Sequence, residues 1–340
     1  MAELTIPPIH KTKNEKGATI MKKFLSIILV AVMTLSLFTA CGTPKDDGIT
    51  KVAIVQQLDH SSLDEIRTAI EAELTAAGIE FKAFNGQNDA SMLNQIGAQV
   101  VSDDYDAIIP IATLAAQCMV TAADGKDIPI IYAACSDPAS AGLTGMANVT
   151  GTSDALNTKF IIDMMLAVNP DISCVGLLYS NSEINSETPI AEARAYLDEL
   201  GIEYLEKTGN AADEVITAAN ALVGRCDAVF TPTDNAIMNV AGAVAEILNN
   251  AGIPHYTGAD SFVTAGCFAT CGVNYTELGT YTGKMAVDIL NGGAVPEFHV
   301  MDGGIITVNS ETAAALSLDF SVFETMANTV ITVGMENMAK

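Results

Sequence analysis

The sequence predicts an α/β protein built as two doubly wound parallel-sheet lobes. Short apolar runs alternate with helix-patterned stretches along most of the chain, the order that gives parallel strands joined by right-handed crossovers. The pattern then repeats. Lys51-Val-Ala-Ile-Val-Gln56 matches Cys174-Val-Gly-Leu-Leu-Tyr179, and Gly78-Ile-Glu-Phe81 matches Gly201-Ile-Glu-Tyr204, both 123 residues on. Asp106-Ala-Ile-Ile matches Asp227-Ala-Val-Phe at an offset of 121, and Ile128-Pro129 matches Ile253-Pro254 at 125. Four matches at a nearly constant offset mark an internal duplication. Finally, 340 residues that are 49% apolar and 17% charged can bury a core for one large or two medium domains.

The elements follow in order. Residues 1–20 are polar and unpatterned and read as an upstream extension, with Met21 as the native start. Residues 21–40 open Met-Lys-Lys, run apolar from Phe24 to Leu37 and end Phe38-Thr39-Ala40. A basic start, an apolar core and small residues before a break define a secretory signal, and the run is short for a membrane span. Cys41 directly after those small residues resembles a lipobox, so lipid attachment at Cys41 is expected, with residues 41–48 as a polar linker. The mature protein is then exported and lipid-anchored on the outer face of the cytoplasmic membrane. Strands are expected at 52–56, 79–84, 106–112 and 128–133, and helices at 63–77, 91–101 and 114–123. The repeat places the two halves near 49–150 and 155–273, with a C-terminal tail whose last stretch, 330–340, is expected to be weakly attached.

The charge narrows the function. The net charge is −25; removing the first forty residues takes away five Lys and two Glu and leaves −28. Nucleic acid needs a basic patch, so it is not a partner. Arginine occurs only at 67, 194 and 225, too few for phosphate clamps. In doubly wound sheets ligands bind beyond the carboxyl ends of the strands. Those ends hold Asp59, Asp137, Glu183, Asp234 and Asp260, with no Lys or Arg, and are rich in Ser, Thr and Asn. Carboxylates suit an ammonium, while helix N-termini and hydroxyls suit a carboxylate. A small zwitterion such as an α-amino acid satisfies both. Helix capping alone also accounts for Thr113, Ser182, Asp234 and Ser261. Tyr132, Tyr179, Tyr256 and Phe262 lie near the same ends and could hold a side chain or pack in the core.

Other chemistries find little support. Cys118, Cys174 and Cys226 read as small core residues, and Cys267-x-x-x-Cys271 lacks zinc-site partners. No metal, cofactor or disulfide framework is expected. Asp59-His60-Ser61-Ser62 holds triad residue types, but neighbours in one loop do not arrange as a triad. There is no Gly-rich phosphate cradle. A sugar, nucleoside or other polar metabolite is the alternative ligand, although the chain has no Trp to stack on a sugar face, and a sensory receptor of the same two-lobed fold is the alternative role.

An ordered set of segments resembles the ABC-transporter substrate-binding proteins of the tryptophan/tyrosine-binding type. These are Ile54-Val55-Gln56 with Asp59-His60 and Leu63-Asp64, then Thr113-Leu-Ala-Ala-Gln117, Ser136-Asp137-Pro138 and Asn148-Val-Thr-Gly-Thr-Ser-Asp154. Tyr179-Ser-Asn-Ser-Glu-Ile-Asn-Ser186, Pro232-Thr-Asp-Asn235 and Gly272-Val-Asn-Tyr-Thr-Glu-Leu-Gly279 follow in order. The resemblance covers about 51–298. It implies a type I periplasmic-binding-protein fold, two lobes joined by a three-strand hinge, with crossings near 148–153, 273–276 and 292–297. Lobe 1 would comprise 49–150 and 276–292, and lobe 2 would comprise 155–273 and 298–330. It implies a monomer that is not an enzyme and that delivers an amino acid to ABC permease subunits. Carried over residue by residue, Thr113, Ser136, Asp137, Ser182, Glu183, Asn185, Thr233, Asp234 and Asp260 become ligand contacts, with Gln57 and His60 toward the side chain. Asp234 or Asp260 would take the ammonium, and Thr113 with nearby backbone N–H groups the carboxylate.

Overall fold

The structure is a computed structural model that describes residues 50–334. The expected extension, signal, Cys41 and linker lie outside the described residues. Among the described residues no helix is long and apolar enough to cross a membrane.

The first half runs β1 (Lys51–Gln56), α1 (Ser61–Ala76), β2 (Glu80–Asn85), α2 (Ala90–Ser102), β3 (Ala107–Ile111), α3 (Thr113–Ala122), β4 (Ile130–Tyr132) and β5 (Val149–Ser153). The second half continues with α4 (Thr158–Val168), β6 (Cys174–Tyr179), a 3-10 turn at Ile184–Ser186, α5 (Glu187–Leu200), β7 (Glu203–Thr208), α6 (Ala212–Asn220), β8 (Ala228–Thr231), α7 (Asn235–Met238), α8 (Ala241–Asn250), β9 (His255–Thr257), α9 (Asp260–Thr264) and β10 (Ala269–Gly272). Then come α10 (Tyr275–Leu290), β11 (His299–Val300), β12 (Ile305–Asn309), α11 (Ser310–Leu316), α12 (Phe323–Met326) and β13 (Thr329–Val333).

These strands form two sheets, ordered β11-β5-β4-β3-β1-β2 and β13-β12-β10-β9-β8-β6-β7. The first is parallel throughout; in the second, β12 runs antiparallel to β10. The duplication is visible in the pairing, since Val52 faces Phe81 and Ala107 just as Val175 faces Tyr204 and Ala228. Residues 52–55 of β1 are fully buried because helices cover both faces of the sheet. The edge strands β2 and β7 have no fully buried residue, their positions being exposed or half-buried instead.

Helix α10 follows the second sheet in sequence but packs on α1 of the first half. Glycine makes this close approach possible. A Cβ on Gly279 would lie 2.5 Å from the Ile66 carbonyl oxygen, and one on Gly283 would lie 2.8 Å from the Glu73 Cβ. The chain thus crosses between halves after β5, before α10, and between β11 and β12. The third crossing falls at 301–304, later than the expected 292–297. The reason is local: His299 and Val300 pair with Thr152 and Ser153, and the His299 ring stacks on Tyr281 at 4.2 Å. The start of the tail also differs from expectation, while residues 335–340 lie outside the described residues. Residues 329–333 form β13, in parallel register with β12, where alternating Thr, Val and Ile suit a strand.

Candidate functional site

The carboxyl ends of the two sheets face each other and enclose a narrow cavity, about 30 Å³ of which can take the centre of a water molecule. The first half lines it with His60, Ser62 and Leu63 after β1, Ala112 and Thr113 after β3, and Ala134 and Ser136 after β4. The second half supplies Asn185 after β6, Thr233, Asp234, Asn235 and Met238 after β8, and Ala259 and Phe262 after β9. The crossings supply Asp154 and Tyr275.

Two of the lining residues hold backbone conformations that disfavour a side chain. Ala112 has φ 75° and ψ 160°, a region used almost solely by glycine, and Ala134 has φ 53°. Such residues cost on the order of 1–3 kcal/mol each and gather at binding sites. Ala112 is also the N-cap of α3 and has no side chain to cap it; of the first-turn N–H groups, that of Leu114 is taken by Gln57 Oε1 at 3.2 Å. The Thr113 hydroxyl sits beside it, donating only a long contact to Cys135 Sγ at 3.5 Å. A helix start met only by a neutral amide, next to a hydroxyl, is suited to a carboxylate.

The acidic groups fall into three kinds. Asp154 is buried, and accepts hydrogen bonds from Ser136 Oγ at 2.9 Å and the Tyr275 hydroxyl at 3.2 Å. No Lys or Arg among the described residues forms an ion pair with it. Burial pushes its pKa up, the signature of a buried carboxylate without a cation. Asp234 is spent within its own half. It accepts from Ser180 N at 2.6 Å, Ser186 Oγ at 2.7 Å and Ile237 N at 3.0 Å, capping α7. Burial raises its pKa too.

The third kind bridges the cleft. Glu183 accepts from Gln57 Nε2 at 3.2 Å and Asn235 Nδ2 at 2.8 Å, and burial and then the Asp234 charge push it up to about 7. Asp260 accepts from Ser62 Oγ at 3.3 Å, and burial raises its pKa. Asp137 accepts from Thr188 Oγ1 at 2.7 Å; burial opposes its charge, but bonds from Ser140 and Thr188 hold it below the ordinary value. His60 Nε2 with Asn235 Oδ1 at 3.3 Å and Ser136 with Thr233 at 3.1 Å complete five cross-cleft contacts. The described state is therefore closed.

Of the residues named from sequence, His60, Thr113, Ser136, Asn185, Thr233 and Asp234 line the cavity. Gln57, Asp137, Glu183 and Asp260 lie outside it and clasp one half to the other. Ser182 is exposed and bonds only toward Ser180. Among the aromatics, Phe262 reaches the cavity. Tyr256 packs edge-on against Phe268, Tyr132 is buried in the first core, and the Tyr179 hydroxyl donates to Glu206. Sequence reasoning overlooked Asp154, Tyr275, Ser62, Asn235 and Met238. Asp154 and Tyr275 sit at crossings, not at strand ends of the repeat, and that position was the available signal.

Comparison with known proteins places this geometry. A sequence model described as ABC transporter substrate binding protein matches residues 51–328. The chain is 31% identical over 324 residues to the tyrosine-binding protein of Clostridioides difficile (strain R20291), covering 87% of this chain and 93% of that one. Its structure resembles the ABC domain in complex with L-Trp from Streptococcus pneumoniae, with a TM-score of 0.78 at 29% identity, covering 83% of this chain and 100% of that chain. It also resembles the ligand-free, open structure of a substrate-binding protein with adhesive properties from Clostridium difficile, at 31% identity but a lower TM-score of 0.65, covering 85% and 100%. The lower TM-score against the open structure agrees with the five contacts across the cleft.

Proposed function

Because the chain belongs to the ABC transporter substrate-binding protein family and has its type I periplasmic-binding-protein fold, we propose that it captures an amino acid with an aromatic or other apolar side chain between its lobes and delivers it to the permease of an importer. Asp154 carries this reading. A carboxylate buried in the cleft between the lobes, with hydroxyl donors but no cation, is completed by an ammonium. Thr113 and the start of α3 face the ligand carboxylate, with Ser136, Asn185 and Thr233 as further polar contacts. Phe262, Met238 and Leu63 offer apolar surface to the side chain. The cavity as closed has room for only a few waters, so a ring enters an open form and the lobes close over it. Gln57, Asp137, Glu183 and Asp260 hold the closed form, and Asp234 shapes its second wall.

The remaining parts of the reading rest on sequence. The signal-like segment and Cys41 support an exported monomer tethered by lipid to the outer face of the cytoplasmic membrane. The test is thermal unfolding of the fragment from residue 42 onward against the twenty amino acids, common sugars and nucleosides. A ligand at 100 times its Kd stabilises the folded state by about 2.7 kcal/mol. The expected result is a raised midpoint with Tyr, Trp or Phe that vanishes in Asp154→Ala. A response to sugars or nucleosides alone would remove the amino-acid assignment. Incorporation of labelled lipid in wild type but not in Cys41→Ala tests the anchor.

A further inference from the structure

One polar atom of a cavity-lining residue has no protein partner. His60 Nδ1 is shielded from solvent and makes no hydrogen bond, and His60 is among the residues that line the cavity. A chain of hydrogen bonds fixes what that nitrogen can do. The Leu114 backbone N–H donates to Gln57 Oε1 at 3.2 Å, so the Gln57 amide presents its NH2 to Glu183. Glu183 accepts there and accepts again from Asn235 Nδ2 at 2.8 Å, which orients the Asn235 amide. Asn235 Oδ1 therefore faces His60 Nε2 as an acceptor, and His60 Nε2 carries the proton. Burial pushes His60 below its ordinary pKa despite this hydrogen bond, so the ring is neutral near pH 7. In that tautomer Nδ1 is a bare acceptor.

We propose that His60 Nδ1 accepts a hydrogen bond from a donor on the ligand side chain, so that the site selects an aromatic amino acid bearing a ring O–H or N–H over one without. The inference rests on the amino-acid reading above. A phenol or indole fills the vacant acceptor, whereas a plain phenyl ring leaves it unpaired, and sites built around such a bond discriminate strongly. The relay crosses the cleft twice, at Gln57 with Glu183 and at His60 with Asn235, so it is assembled only when the lobes close. Selection therefore occurs on closure.

Calorimetric titration of the full chain in mild detergent with L-Tyr, L-Trp and L-Phe tests this. The expected result is that L-Tyr or L-Trp binds at least about tenfold tighter than L-Phe, and that His60→Phe reduces this ratio below threefold. A wild-type ratio under tenfold for both, or a ratio that survives His60→Phe, overturns the proposal while leaving the amino-acid reading intact. Binding of none of the three overturns both. Histidine-labelled wild-type protein gives a readout independent of any variant. The 15N resonance of His60 Nδ1 should be that of an unprotonated nitrogen and should shift with L-Tyr or L-Trp but not with L-Phe. A protonated Nδ1 overturns the proposal.

Discussion

At the end of β3, Ala112 turns into α3 at φ 75° with no cap of its own, and the neutral Gln57 amide takes the Leu114 N–H. At the corresponding place 121 residues later, Thr233 leads into α7, and Asp234 caps that helix with its own carboxylate. One duplicated junction thus exists in two states, met by a neutral amide in the first half and by a carboxylate in the second. The second carries an internal anion; the first carries none, and in the proposed reading the ligand supplies it. Two copies of one fold have thus diverged at the same junction, the second satisfying its helix start with its own carboxylate and the first leaving Thr113 beside a neutral amide.

Exchanging the two aspartates breaks that comparison most sharply. Asp234→Ala should destabilise the protein by about 2–4 kcal/mol, since three donors lose their acceptor in a buried loop. Chemical denaturation reads this directly. Asp154→Asn should leave unfolding unchanged or slightly stabilised, because it removes a buried charge without a cation, yet weaken amino-acid binding about a hundredfold. A stable, fully binding Asp154→Asn variant would erase the distinction between the halves.

The pH response sharpens it further. Glu183, raised to about 7, adds more to the stability of the folded state when protonated than when charged. Its contribution is fully present below its ordinary pKa near 4.5 and is lost as pH rises through about 7. Unliganded thermal stability should fall between pH 5 and pH 8, and Glu183→Gln should flatten that fall. Smaller still, Ala112→Gly should stabilise the protein by about 1 kcal/mol by relieving its left-handed backbone. Thr233→Gly, at the matching position, has no such strain to relieve and should destabilise. Equal responses at both positions would show that the two junctions are equivalent after all.

These contrasts bear on what the sequence could reveal. Lys51–Gln56 and its copy at Cys174–Tyr179 were legible because fully buried parallel strands read as continuous apolar runs. Thr113, Ser136 and Thr233 were legible because strand ends in such folds are where ligands go. Asp154 and Tyr275 were not, because a crossing has no hydrophobic period and no counterpart in the repeat. Nor could residue type separate Asp234 from Asp154. Both are buried carboxylates, and only the positions of Ser180 N, Ser186 Oγ and Ile237 N decide which one is already satisfied. The third crossing was misplaced for a similar reason, since two residues of β11 are too few to show an alternation.

The five contacts that close the cleft join hydroxyls, amides, carboxylates and an imidazole, and no ion pair among the described residues spans it. Meanwhile both halves are acidic. Residues 50–153 and 275–300 carry 16 Asp or Glu against 5 Lys or Arg, and residues 154–274 and 301–334 carry 20 against 4. Long-range repulsion therefore pushes the halves apart, while short-range bonds draw them together. Dissolved salt screens the first over roughly 10 Å at 0.1 M and hardly touches the second. Unlike a receptor clasped by ion pairs, this one should hold its cargo slightly more tightly in brine than in fresh water, so a modest rise in affinity between 20 and 500 mM salt, on the order of a Debye-length effect, is the behaviour its surface prescribes.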